Sequence, residues 1–65
     1  MEIKNENLKN FVEIFGNYEV LENSVKVNVG GMANLLKSRR ISESLGLIET
    51  GVNCRNNEFT VEFAL

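Results

Sequence analysis

The sequence predicts a two-layer α+β domain in which two helices cover one face of a four-stranded antiparallel sheet. Two helical stretches each end at a glycine, Gly16 and Gly46, and an alternating run of apolar and polar residues follows each of them. Each run reverses at residues that favour tight turns, so each predicts a β-hairpin. In the order helix, hairpin, helix, hairpin (αββαββ), the helices can cover both apolar hairpin faces at once.

The first helix is predicted over residues 5–15. Asn5 or Asn7 can cap its N-terminus, and Glu6 suits the positive end of the helix dipole. The apolar residues follow helical spacing and share one stripe, and Gly16 stands where a left-handed C-terminal cap is favoured. That stripe consists of Leu8, Phe11, Val12 and Phe15.

The first hairpin is predicted over residues 17–29. A turn at Glu22-Asn23 places Glu19 opposite Lys26, a cross-strand pair of opposite charge. The same register gathers the apolar side chains on one face, because side chains alternate along a strand. The apolar face then consists of Tyr18, Val20, Val25, Val27 and Val29.

The second helix is predicted over residues 32–46, but its apolar residues do not form one stripe. Met32, Leu35 and Leu36 point one way, whereas Ile41 and Leu45 point nearly the opposite way at 100° per residue. Two alternatives explain this pattern: the helix breaks near Ser38, or it is buried on two sides. Both Ser38 and Ser42 are acceptable N-caps for a new helix.

The second hairpin is predicted over residues 48–65, with its turn at Asn56-Asn57, since asparagine tolerates positive φ. The pairs then run from Arg55 opposite Glu58 to Thr50 opposite Phe63. One face is apolar and is expected to carry the core: Thr50, Val52, Cys54, Phe59, Val61, Phe63 and Leu65. The other is expected to face solvent: Glu49, Gly51, Asn53, Arg55, Glu58, Thr60 and Glu62.

The two halves of the chain resemble each other weakly. Residues 13–20 align with residues 43–50, each a helix end, a glycine and the start of a strand. The shared order of helix, glycine cap and strand accounts for most of the identities between the two segments, so internal duplication remains a hypothesis.

The chain of 65 residues predicts one small domain, residues 1–65, with a thin core. Domains of this size often need a disulfide, a metal or a partner subunit. A single cysteine and no histidine leave no intrachain disulfide and no typical metal site. We therefore expect no cofactor, and self-association becomes the expected source of additional stability.

The formal net charge of −2 is mild and argues against a nucleic-acid binder driven by bulk charge. No run of apolar residues is long enough to span a membrane, and the N-terminal residues lack the apolar region of a signal peptide. With one thiol and no signal, we expect the chain in the cytoplasm of a cell or host.

The sequence provides little for catalysis. It has no histidine, and all nine acidic residues are glutamates. Glu49 and Glu62 share the predicted solvent face. We expect both carboxylates to be solvated there rather than to form a catalytic or cation-binding pair. Cys54 is expected to be a small buried hydrophobe opposite Phe59. The glycine pair Gly30-Gly31 is expected to connect a strand to a helix rather than to bind an anion. We therefore predict no catalytic residue and no enzyme.

The leading hypothesis is a small regulator or inhibitor, of a size typical of mobile-element products, that acts through a protein interface and self-associates. Apolar residues without a place in the predicted core, and arginines suited to interfaces, motivate it. The predicted partner-binding residues are Arg39, Arg40, Ile41, Leu45, Leu47 and Leu65.

The alternative hypothesis is a nucleic-acid-binding regulator. If the second helix breaks near Ser38, residues 32–46 resemble a short helix-turn-helix followed by a wing-like hairpin. The residues expected to contact phosphates are Lys37, Arg39, Arg40 and Arg55.

Overall fold

A computed structural model describes residues 3–65; Met1 and Glu2 lie outside the described residues. Two helices and one four-stranded antiparallel sheet confirm the predicted α+β class. The elements in chain order are α1 (Glu6–Phe15), β1 (Tyr18–Val20), β2 (Ser24–Gly30), α2 (Met32–Ser44), β3 (Glu49–Arg55) and β4 (Glu58–Ala64).

Helix α1 forms as its sequence predicts. The side-chain oxygen of Asn5 accepts hydrogen bonds from the backbone N–H groups of Asn7 and Leu8, at 3.0 and 3.2 Å. These bonds satisfy two of the N–H groups that the first helical turn leaves unpaired. Gly16 ends the helix with a φ of 72°. The buried face consists of Leu8, Phe11 and Val12.

The first hairpin has the predicted register. Val20 pairs with Val25, and Glu19 pairs with Lys26. Strand β1 has only three residues, whereas β2 has seven and carries the buried side chains. Those buried side chains are Val25, Val27 and Val29.

Helix α2 is continuous, and neither alternative proposed for it is correct. Its buried stripe runs through Leu35, Ser38 and Ser42. The Ser38 hydroxyl donates to the Leu35 carbonyl at 2.7 Å, and that of Ser42 donates to the Arg39 carbonyl at 3.0 Å. Both hydroxyls are therefore satisfied inside the helix, so small polar residues occupy core positions without a break.

This stripe reverses the expected roles of the other apolar residues of α2. Ile41 and Leu45, which we expected to need another partner, are half-buried and pack against the core. Met32 and Leu36, which we expected on the sheet, have exposed fractions of 57% and 55%. The apolar surface that remains open is therefore on a different side of the helix.

The second hairpin has the predicted register from Arg55–Glu58 to Gly51–Glu62, and both turn asparagines have positive φ. The predicted pairing of Thr50 with Phe63 is wrong. A bulge at Thr50 makes Glu49 the residue opposite Phe63. The hydroxyl of Thr50 donates to the carbonyl of Glu62 at 3.1 Å, which fixes the extra residue in place.

The strand order is β1-β2-β4-β3, with β2 and β4 in the centre. Val25 pairs with Phe63 and Val27 with Val61, so all of these side chains share one face of the sheet. They form one core with the buried residues of α1 and α2, so both helices cover this face, which we call the helix face. We call the opposite side the outer face.

Each half of the chain contributes a helix and a hairpin, and its second strand lies at the centre of the sheet. The helices are joined by a hydrogen bond from the Asn7 side chain to the Leu45 carbonyl at 3.2 Å. The two halves therefore have the same order of elements and the same place for their second strand, and duplication remains a hypothesis about the origin of this order.

Candidate protein-binding surface

Strand β3 extends beyond the area that the helices cover. Helix α1 packs on β2, and α2 packs on β2 and β4. Val52 of β3 lies directly opposite Val61 of β4, so both face the helices. Val61 is fully buried, but Val52 has an exposed fraction of 47%. On the helix face, most side chains of the central strands are therefore buried, whereas Val52 and Cys54 of β3 are exposed.

One side of α2 borders this open area. Met32, Leu36 and Arg39 follow spacings of four and three residues and share that side. A nitrogen of the Arg39 guanidinium lies 3.5 Å from a carboxylate oxygen of Glu49, at the start of β3. This ion pair shows that the Met32 and Leu36 side of α2 is turned towards β3.

We call the resulting region the β3-side surface: Met32 and Leu36 on α2, with Val52 and Cys54 on β3. Cys54 pairs with Phe59 and so shares the helix face, as predicted, but its thiol is exposed rather than buried because no helix lies over it. The surface is apolar, and the Arg39–Glu49 ion pair stands at one end of it. Half-covered apolar side chains of this kind are typical of protein-binding surfaces.

The predicted partner-binding residues do not form one surface. Ile41, Leu45 and Leu47 are half-buried and pack against the core of their own chain. Leu65 is exposed, and its backbone N–H donates to the Asn23 carbonyl in the turn of the first hairpin. Arg39 holds the ion pair at one end of the β3-side surface, so it borders that region.

The residues of the nucleic-acid hypothesis also separate. Because α2 is continuous, residues 32–46 do not form a helix-turn-helix. Lys37 and Arg40 lie exposed on α2, above the helix face. Arg55 pairs with Glu58 next to the hairpin turn and points to the outer face. The four basic residues therefore do not share one phosphate-binding face.

The outer face carries a shallow polar depression of about 470 Å³. Glu19, Lys26 and Glu62 cross it as a row of alternating charge, because each pairs with the next across neighbouring strands. The Ser24 hydroxyl donates to a carboxylate oxygen of Glu62 at 2.8 Å. Asparagines and a threonine complete much of the lining, which gives a solvated sheet face: Asn17, Asn28, Asn53 and Thr60.

The bulge in β3 also separates two carboxylates that the sequence pattern places together. Glu49 faces the helices, whereas Glu62 lies on the outer face, so the predicted shared face is wrong. Among residues 3–65, no three side chains of the metal-binding types form a cluster. The backbone N–H of Gly30 bonds to the Asn28 side chain at 3.0 Å, as expected of a strand-to-helix turn.

Hydrophobicity along the chain does not reveal the β3-side surface. Met32 and Leu36 look like core residues because their neighbour Leu35 is one. The useful indication is the spacing of Leu35, Ser38 and Ser42, which follows a helical stripe if serine is accepted as a core residue.

No protein-family model, curated protein sequence or solved structure matches the chain. The helices formed within residues 3–65 are too short and too polar to cross a bilayer.

Proposed function

We propose that this chain is a small non-enzymatic module that binds protein through the β3-side surface, as a regulator or inhibitor of its partner. One observation carries the proposal. Met32, Leu36 and Val52 each expose about half of their surface, at 57%, 55% and 47%, on the side where β3 extends beyond the helices. A partner that covers them removes adjoining apolar area from water.

The energetics favour this region over the outer face of the sheet. Covering the exposed half of each of these three side chains contributes on the order of 1 kcal/mol apiece. The Arg39–Glu49 ion pair provides a polar boundary, and apolar centres with polar rims are typical of protein interfaces. The depression on the outer face, in contrast, is lined mainly by charged, amide and hydroxyl side chains.

The residue types support binding rather than catalysis. The chain has no histidine, and its acidic residues are all glutamates. Its one thiol, on Cys54, is exposed on the β3-side surface, where it contributes apolar contact area.

The test is affinity capture from the native host with the purified chain. A double variant, M32E/L36E, places two carboxylates in the β3-side surface. The matched control, A33E/S44E, places two carboxylates on exposed positions of the same helix, away from that surface. Retained proteins are quantified by mass spectrometry, and self-association is followed by sedimentation velocity.

We expect M32E/L36E to lose the proteins, or the second copy, that the unmodified chain retains, and A33E/S44E to keep them. Circular dichroism should show that both variants are folded, because all four positions are exposed. Equal binding by the two double variants would show that the β3-side surface is not the interface.

A further inference from the structure

Strand β3 is an open sheet edge of seven residues, and it lies beside the β3-side surface. The two-residue turn at Asn56-Asn57 makes Arg55–Glu58 the closing hydrogen-bonded pair of the hairpin. Hydrogen-bonded and non-hydrogen-bonded pairs alternate along an antiparallel ladder. Val52 and Cys54 are therefore non-hydrogen-bonded towards β4, and they direct their backbone N–H and C=O groups outward.

We propose that this edge pairs antiparallel with β3 of a second copy of the chain, with Asn53 on the two-fold axis. This inference rests on the proposed function, because the paired edges bring the β3-side surfaces of two copies side by side as one larger protein-binding surface. The paired edges join two sheets into one of eight strands.

The other edge of the sheet does not offer the same surface. Strand β1 has only three residues, which is one way in which proteins protect a sheet edge. Strand β3 carries neither lysine nor proline, the residues that most often block edge pairing. Its protection is the bulge at Thr50, which leaves residues 51–55 regular.

The regular part of β3 sets the register. The middle of residues 51–55 is Asn53, so symmetric pairing places Val52 opposite Cys54 of the second copy. Both residues direct their backbone groups outward, as an added strand requires, and both side chains are apolar and face the helices. On the outer face the two Asn53 side chains meet as amides, each of which can donate to and accept from the other.

Charge complementarity supports the same register. It places Arg55 of one copy opposite Gly51 of the other. Gly51 has no side chain, and a carboxylate oxygen of Glu62 lies 3.4 Å from the position that a Cβ there would occupy. The Arg55 side chain of the second copy can therefore cross Gly51 and reach Glu62.

Arg55 is available for this contact. It has no carboxylate oxygen within 4.0 Å among the described residues of its own chain, where the ion pair found is Arg39–Glu49. The two-fold axis repeats the Arg55–Glu62 contact, so the dimer would contain two intermolecular ion pairs. Across the axis, the two β3-side surfaces become neighbours.

Disulfide trapping tests the register. In an N53C/C54S variant, the two new thiols stand directly opposite each other at a non-hydrogen-bonded pair, where Cα atoms are about 4.5 Å apart, a distance that a disulfide spans. In the control, V52C/C54S, the thiols are displaced along the strands and their Cα atoms are roughly 8–9 Å apart, too far for a disulfide.

Under mild oxidation we expect N53C/C54S to form a covalent dimer, seen on non-reducing gels, and V52C/C54S to form no covalent cross-link on the same gels. A non-covalent comparison removes the dependence on cysteine chemistry. R55E should weaken dimerisation by about tenfold in sedimentation equilibrium. K37E, which makes the same charge change on α2, should leave dimerisation unchanged.

A covalent dimer of V52C/C54S in place of N53C/C54S, or equal dimerisation by R55E and K37E, would overturn the proposed pairing. The outcome is separable from that of the proposed function. If M32E/L36E loses binding while N53C/C54S fails to cross-link, the surface binds protein but the β3 edge does not pair. If both double-glutamate variants bind equally, the proposed function itself is wrong.

Discussion

At the scale of single residues, the pair Val52 and Val61 shows what alternation along a strand does and does not determine. Their direct pairing follows from the sequence pattern, together with the face that they share. Their burial does not, because burial depends on where α2 lies over the sheet. Alternation along a strand shows which side chains share a face of the sheet. Only the packing of the helices determines which of those side chains are buried.

This difference predicts unequal effects of the same substitution on the two paired valines. V61A should lower the free energy of unfolding by about 1–3 kcal/mol, through lost burial and a cavity among close-packed neighbours. V52A should cost less than about 1 kcal/mol, since nearly half of its side chain is already in water. Urea denaturation at a concentration where the chain is monomeric measures both, and equal losses would contradict the placement of α2.

At the scale of elements, α1 and both hairpin turns follow from local chemistry that the sequence displays. Asn5 caps the N-terminus of α1, and Gly16 ends that helix. Asn56 and Asn57 accept the positive φ that the turn of the second hairpin requires. Helix α2 is harder to predict because its core stripe contains Ser38, with an exposed fraction of 1%, and Ser42. A hydroxyl that bonds to its own helix at 2.7 Å can be buried without another partner, and hydrophobicity patterns miss such residues.

The buried serine stripe leads to a prediction about α2. S38A should change the free energy of unfolding by less than about 1 kcal/mol, because the hydroxyl and its bond are removed together and the volume is nearly kept. S38L should cost about 1–3 kcal/mol or more, because the extra atoms must displace close-packed neighbours. Thermal and urea unfolding of both variants test this, and a stabilising S38L would indicate that α2 is not packed closely at Ser38.

The bulge at Thr50 is the second feature that the sequence does not reveal. Residues 51–55 pair as an uninterrupted hairpin predicts, but the extra residue moves Glu49 to the helix face, where it meets Arg39. A one-residue change of register moves every side chain beyond it to the other face of the sheet. The bulge therefore affects the candidate carboxylate pair directly, because Glu49 and Glu62 lie on opposite faces.

At the scale of the whole molecule, the α+β fold class and the four-stranded antiparallel sheet can be predicted from the sequence, but the strand order β1-β2-β4-β3 cannot. Pairing within each hairpin is local and visible in the sequence. The contact of β2 with β4 pairs residues 29 to 40 positions apart, from Gly30–Phe59 to Ser24–Ala64. It depends on both helices sharing one face. The same long-range order makes β3 an edge strand, which is why the β3-side surface emerges only from the folded chain.

The distribution of charge over the whole molecule yields the last prediction. The net charge is −2, Arg39 is engaged with Glu49, and Arg55 lies on the opposite face of the sheet from Lys37 and Arg40. Binding to phosphates requires several cations on one surface and weakens steeply as salt is added. We therefore expect no mobility shift of mixed DNA or RNA at low salt, and no effect of K37E/R40E on association with protein. A salt-sensitive shift that K37E/R40E removes would favour the nucleic-acid hypothesis, because only clustered phosphate contacts produce both results.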